Sequence, residues 1–157
     1  AHCLEGALFA AAALMANGQP ALLMDLRSSK KDFDHVVALF KRNGKWGAIS
    51  KTNHAVLRYR EPIYPTLQAL ALSYFHEYFL DNGTKTLRSF STQPYKLSTK
   101  RIDWVTSDED LWNIGADLDD MPHTEILTKQ EINKLRKADK VEIEAGKMVE
   151  YQHEKNP

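Results

Sequence analysis

Asn43-Gly44 stands between two runs of strand-forming residues, His35 to Arg42 and Trp46 to Thr52. In that setting Asn-Gly is the strongest short-range signal for a two-residue hairpin turn. Closing the turn there sets Arg42 against Lys45 and carries the pairing outward until His35 faces Thr52. Paired residues share a face, and alternation fixes the rest. His35, Val37 and Leu39 therefore point with Trp46, Ala48, Ser50 and Thr52. Val36, Ala38 and Phe40 point the other way, with Gly47, Ile49, Lys51 and Asn53.

The segments around this hairpin predict an α+β fold. Residues 3–16, CLEGALFAAAALMA, are rich in good helix formers and stop at Asn17-Gly18, a helix C-terminal signal. The segment is apolar nearly all round, which predicts a buried central helix. ALLMDL (21–26) reads as a buried strand, RSSKKDFD (27–34) as a polar loop and AVLRYR (55–60) as a third strand of an antiparallel meander. Pro62 and Pro65 punctuate the change to a helix over 66–79, and Trp46 and the stripe Tyr74, Phe75 and Tyr78 read as core rather than as a ligand platform. LRSFS (87–91) reads as a surface strand, with phosphate docking by its bases as the sharper alternative. Ser107 to Asp110 opens a short helix through Leu118, with its acids at the positive end of the dipole. Thr128-Lys-Gln-Glu131 is a capping box starting a largely polar helix toward Tyr151. The expected architecture is a buried N-terminal helix on an antiparallel sheet of three to five strands, with further helices in the C-terminal half. Residues 1–127 are expected to form one domain, with 128–157 a polar helix and tail that frays or pairs with a second copy.

Charge and composition remove several function classes. The 157 residues carry no formal net charge and have a pI near 7.2, so no general attraction to nucleic acid or anionic lipid is expected. No apolar run reaches the ~18–20 residues of a bilayer span. The run from Ala7 to Met15 lacks the basic flank of a signal peptide. One cysteine excludes an internal disulfide and agrees with a reducing, cytoplasmic setting. Residues 84–101 carry bases and no acid, and residues 103–125 carry eight acids and no base. Opposed blocks of this kind are solvated faces in most proteins and acidic metal sites in few. The opening Ala-His-Cys has no initiator methionine, and the expected reading is a truncated or processed start.

Chemistry concentrates in the first third. Cys3 falls in the first turn of the first helix, where the dipole favours a thiolate, and a thiolate is the nucleophile that acyl transfer through a thioester needs. The bland reading is a small buried hydrophobe. If the Cys3 helix packs on the His35 face of the hairpin, a thiol, an imidazole and a hydroxyl converge, the skeleton of nucleophile, base and orienting group.

The order Cys-helix, small turn, apolar strand, polar loop, His strand, NG hairpin and Trp strand resembles the transglutaminase-like superfamily, relatives of the papain-like cysteine peptidases. AHCLEGALFAAAALMANGQPALLMDL is similar to the family's cysteine block and DHVVALFKRNGKW to its His strand, covering about residues 1–53. The resemblance implies hydrolysis or transfer of an amide acyl group, on a peptide or small amide substrate, with Cys3 as nucleophile and His35 as base. It implies no cofactor apart from the calcium of animal members, for which no EF-hand-like loop is present. The family's acid, four residues past the Trp, is replaced here by Ser50, which leaves Ser50 or Thr52 to hold the ring. In the serine-protease triad a neutral amide in place of that carboxylate costs on the order of 10⁴ in turnover. The rival readings are an inactive transglutaminase-like fold used for binding, through the acidic 103–125 segment or the C-terminal helix, and a structural homo-oligomer. A zinc site from His2, Cys3 and His35 is weaker, because no C-x-x-C or H-E-x-x-H spacing accompanies it.

Overall fold

The computed structural model describes residues 3–98 and 103–151. Helix α1 spans Cys3–Ala16 and is followed by strands β1 (Leu22–Ser28), β2 (His35–Arg42), β3 (Lys45–Ile49) and β4 (Arg60–Tyr64). Helix α2 (Leu67–Leu72) and a 3₁₀ turn (Phe75–Glu77) precede β5 (Leu87–Ser91) and β6 (Tyr95–Lys96). Helix α3 (Trp112–Asp120), β7 (His123–Glu125), α4 (Lys129–Ile132) and α5 (Lys140–Gly146) complete the described chain. The fold is α+β, as expected. The antiparallel sheet has seven strands among the described residues rather than three to five, in the order β4-β3-β2-β1-β5-β7, with β6 beside β1.

The hairpin has the register its turn dictates: Arg42 pairs Lys45, Leu39 pairs Ala48 and Ala38 pairs Ile49. Asn43 and Gly44 both take the left-handed backbone that a type I′ turn requires, with φ of 52° and 74°. Alternation then sorts the two cores. Val37, Leu39 and Ala48 join Met24 and Leu26 under α2, together with buried Tyr74, Phe75 and Tyr78. Val36 and Ala38 join Leu23 under Ala7, Leu8 and Ala11 of α1 and Ile114 and Leu118 of α3.

Several elements depart from the sequence reading. Helix α1 buries one face only, and Phe9 on its outer face is 79% exposed. The third strand is β4 at 60–64, not 55–60, because Leu57 turns the chain through a left-handed backbone (φ 59°) before it can pair. Pro62 sits inside β4, which is tolerated because β4 is an edge strand. The helix expected over 66–79 is capped at Thr66, whose hydroxyl accepts from the Ala69 N–H, and ends at Leu72. LRSFS is not a surface strand but a mostly buried β5 between β1 and β7. Helix α3 begins at Trp112, beyond the Ser107–Asp110 start, and Leu111 provides no side-chain cap.

The Thr128–Glu131 capping box forms, but its helix is a single turn. A second capping box, Asp139 with Glu142, starts α5. The C-terminal segment then docks on the rest of the chain. Ala138 is buried with its N–H on the Gly83 carbonyl at 2.8 Å, and Asn53 exchanges two side-chain bonds with the Tyr151 backbone. Gly83 has φ of 80°, and a Cβ there would stand 2.7 Å from the Ala138 carbonyl oxygen. Gly83→Ala is therefore expected to destabilise by about 1–3 kcal/mol and to open 133–151 to limited proteolysis. Unchanged melting and cleavage would refute this account of the docking.

Candidate functional site

Three of the candidate residues lie at one end of the sheet, for a topological reason. Cys3 opens α1, His35 opens β2, and Ser50 directly follows β3, whose antiparallel run ends where β2 begins. Cys3 and His35 both line a cleft of about 970 Å³, walled further by Thr52, Leu57, Tyr78 and, from α5, Ile143.

The imidazole is held on both sides. His35 Nε2 lies 2.6 Å from Ser50 Oγ, a hydroxyl in bonding contact with the ring. The backbone of Leu57 is the second partner, and it favours the charged ring, as an accepting carbonyl does. A neutral ring that donates to that carbonyl carries its lone pair on Nε2, where the Ser50 hydroxyl donates. Burial dominates the titration: the residue is only 7% exposed, and desolvation brings its pKa down to about 4. His35 is a neutral and weak base at physiological pH.

The thiol points elsewhere. Cys3 Sγ–H donates to the Asp34 carbonyl at 3.8 Å, a long and weak sulfur bond, and among the described residues no hydrogen bond joins it to His35. The condition for convergence is not met by the body of the helix. Helix α1 packs on Val36 and Ala38, the reverse of the His35 face, and Cys3 reaches the cleft only because it is the helix's first residue. Thr52 lines the same cleft, but its hydroxyl accepts from the His54 N–H at 3.0 Å and does not hold the ring. His2, the third member of the zinc alternative, lies outside the described residues.

The cleft loop, residues 50–58, is braced by bonds the sequence does not advertise. Leu57 N–H donates to Glu77 Oε2 at 2.8 Å, and Arg60 Nη2 reaches the same oxygen at 2.7 Å. Arg58 donates to the Thr52 and His54 carbonyls and pairs with Glu150 at 2.7 Å. A leucine in the left-handed region persists only where the surroundings over-determine it, and such residues gather at functional sites. Here the strained residue is the one whose backbone touches the candidate base.

No protein-family model matches this sequence, and no curated protein matches it significantly.

A second polar cluster lies on the α1 side of the sheet. Asp25 of β1 is 2% exposed, and its Oδ2 is 2.9 Å from Nε2 of His123, whose Nδ1 bonds the Met121 carbonyl. The His123 side chain is therefore a buried partner of Asp25. Burial, the largest cause, pushes the Asp25 carboxyl up to about 6 against the opposing His123 bond. Oxygens of Asp25, Asp34 and Asp119 lie within 4.8 Å of one another, a donor set of the type hard cations take. Internal bonds already explain two of them, since Asp34 Oδ1 accepts the Ser28 N–H at 2.7 Å and Asp25 accepts His123. Among the described residues no helix is long and apolar enough to cross a membrane.

Proposed function

We propose that this chain is a transglutaminase-like domain whose Cys3–His35 cleft binds a peptide or small amide ligand without turning it over at rest. One observation carries the reading: the imidazole is engaged by Ser50 and Leu57 while the thiol bonds the Asp34 carbonyl, so nucleophile and base are uncoupled. A base of about 4 is about 2.5 units weaker than ordinary histidine, roughly 3 kcal/mol against taking a proton in any transfer step. The hydroxyl of Ser50 cannot offset this as a carboxylate would.

Iodoacetamide alkylation of Cys3 tests it. The rate between about pH 5 and 7 is expected to change less than twofold in His35→Gln. A drop of tenfold or more in that variant would reveal a Cys–His ion pair and overturn the reading.

The second reading, a working acyl-transfer site, is favoured by the shared cleft and by the place of Cys3 at a helix start. In that reading ligand entry displaces the thiol from Asp34 and turns it to His35. A covalent adduct on Cys3 after incubation with an amide substrate, lost in His35→Gln, would select it.

A further inference from the structure

The stretch after α5 lies against the cleft loop as an extended peptide would. His54 and Val149 form an antiparallel bridge. On either side of it the Ala55 N–H donates to the Met148 carbonyl at 2.9 Å, and the Glu150 N–H donates to the Asn53 carbonyl at 2.8 Å. The Asn53 side chain grips the next residue by its backbone: Nδ2 donates to the Tyr151 carbonyl at 2.8 Å, and Oδ1 accepts the Tyr151 N–H at 2.9 Å. These bonds all reach main-chain groups, which any sequence offers. One side chain of the stretch is recognised as well. Glu150 Oε2 accepts from Arg58 Nη2 at 2.7 Å and from Lys51 Nζ at 3.2 Å.

The pairing has the character of an exchangeable ligand rather than of core packing. Met148 and Tyr151 both stay 65% exposed, so little apolar area is buried with it. Contacts built on exposed hydrogen bonds belong to the parts of a protein that open most readily. The place matters equally. Lys51, Asn53 and His54 line the same cleft as Cys3 and His35, and so does Gly146 at the foot of the stretch, whose carbonyl accepts from His54 Nδ1 at 3.0 Å. The loop that holds the stretch is thus a wall of the cleft.

We propose that loop 50–58 is the peptide-docking edge of this cleft, and that residues 148–151 fill it as a built-in competitor. The outside ligand is an extended peptide that pairs with residues 53–55 through its main chain and carries a glutamate where Glu150 now sits. Addition of an extended segment draws affinity from main-chain bonds, while Arg58 and Lys51 select the acidic side chain. The tail is tethered, so it competes at an effective concentration of about a millimolar or more, and an outside peptide enters when the tail is weakened. This inference rests on the reading of the cleft as a site for a peptide ligand; it adds which peptide fits and what keeps it out.

The test uses the full chain. Glu150→Pro deletes both the N–H and the carboxylate that the loop holds, while the loop keeps its own braces from Arg58 to the Thr52 and His54 carbonyls. The variant should melt close to the parent. A capped, fluorescein-labelled peptide, Lys-Met-Val-Glu-Tyr, read by fluorescence polarisation, is expected to bind it saturably and about tenfold or more tighter than it binds the parent. The same peptide with lysine in place of glutamate should bind the variant about fivefold or more weaker, a difference that shrinks as salt rises from about 50 to about 300 mM. Adding Asn53→Ala to Glu150→Pro should weaken binding about tenfold. The lysine-for-glutamate peptide keeps the test decisive even where that double variant folds poorly. Equal affinity of the parent and Glu150→Pro, equal affinity for the two peptides, or no binding to Glu150→Pro would each overturn the proposal. Iodoacetamide separates it from the reading it rests on: saturating peptide should slow alkylation of Cys3 in Glu150→Pro about threefold or more. Binding with no such slowing would uphold the docking edge and sink the placement of the ligand over Cys3 and His35.

Discussion

The stability of this protein is expected to stay nearly level between about pH 4 and about pH 6.5, and to acquire steep slopes of opposite sign in two single variants. Two buried groups titrate against each other across that window. Asp25 is raised from 3.8 to about 6 by burial. Its contribution is fully present below 3.8 and is lost as pH rises through about 6. His35 is lowered from 6.5 to about 4, also by burial. Its contribution is present above 6.5 and is lost as pH falls through about 4. Each shift is worth about 3 kcal/mol over the window, so the two nearly cancel. The carboxylate of Glu150, brought down to about 2 chiefly by its bond to Arg58, loses its ionised form below this range.

Asp25→Asn keeps a hydrogen-bonding group for His123 Nε2 and removes the acid titration. That variant should gain stability by about 3 kcal/mol as pH rises from about 4 to 6.5. His35→Gln keeps a polar partner for Ser50 and removes the base titration. It should lose a similar amount over the same rise. Urea unfolding at a series of pH values measures both. Parallel curves for the parent and the two variants would show that neither group is buried as its contacts require.

The difference between what could be read from the residues and what could not follows the range of each interaction. The hairpin register was legible because Asn43 and Gly44 are a local instruction: only the mirror-image turn fits both the pair and the strand twist. That register set Thr52 opposite His35, the resemblance pointed to Ser50 four residues past Trp46, and only the folded chain beyond β3 decides for Ser50. Helix α1 was legible in extent, Cys3 to Ala16, yet not in packing, because its Ala-rich sequence is apolar on every face and names no buried side. The side it buries is set by the sheet beneath it. Strands β5 and β7 pair with partners far away in sequence, and β7 offers only three residues with no strand signature. The second capping box, Asp139-Lys-Val-Glu142, was a readable local signal hidden inside what looked like one polar helix. The Leu57 and Asp34 backbone atoms that occupy His35 and Cys3 were beyond reach in principle. A carbonyl is the same in every residue, and only the folded path of loop 50–58 brings one to an imidazole.

Ser50→Asp is expected to raise the His35 pKa by about 1–3 units and to couple the base to the thiol. The substituted carboxylate would stand where Ser50 Oγ now lies, 2.6 Å from Nε2. A hydroxyl bonds the neutral ring as well as the charged one, so it does nothing to oppose the desolvation that holds His35 near 4. A carboxylate accepts only from a protonated nitrogen, and the resulting pair is neutral overall, which reduces the burial penalty on the imidazolium. The thiol is poorly anchored where it is, since a 3.8 Å sulfur bond to Asp34 is weak. An imidazolium beside the cleft would favour the thiolate and draw it away from that carbonyl. Two readouts follow. The imidazole C–H resonance of His35 should titrate at higher pH in Ser50→Asp than in the parent. Alkylation of Cys3 near pH 6 should rise about tenfold or more and fall back in the double variant Ser50→Asp, His35→Gln. Ser50→Ala, which removes the hydroxyl without adding charge, should show neither change. If the His35 titration is unmoved by the aspartate, the serine is not where the ring is controlled, and the uncoupled resting site must be traced to the Leu57 contact instead.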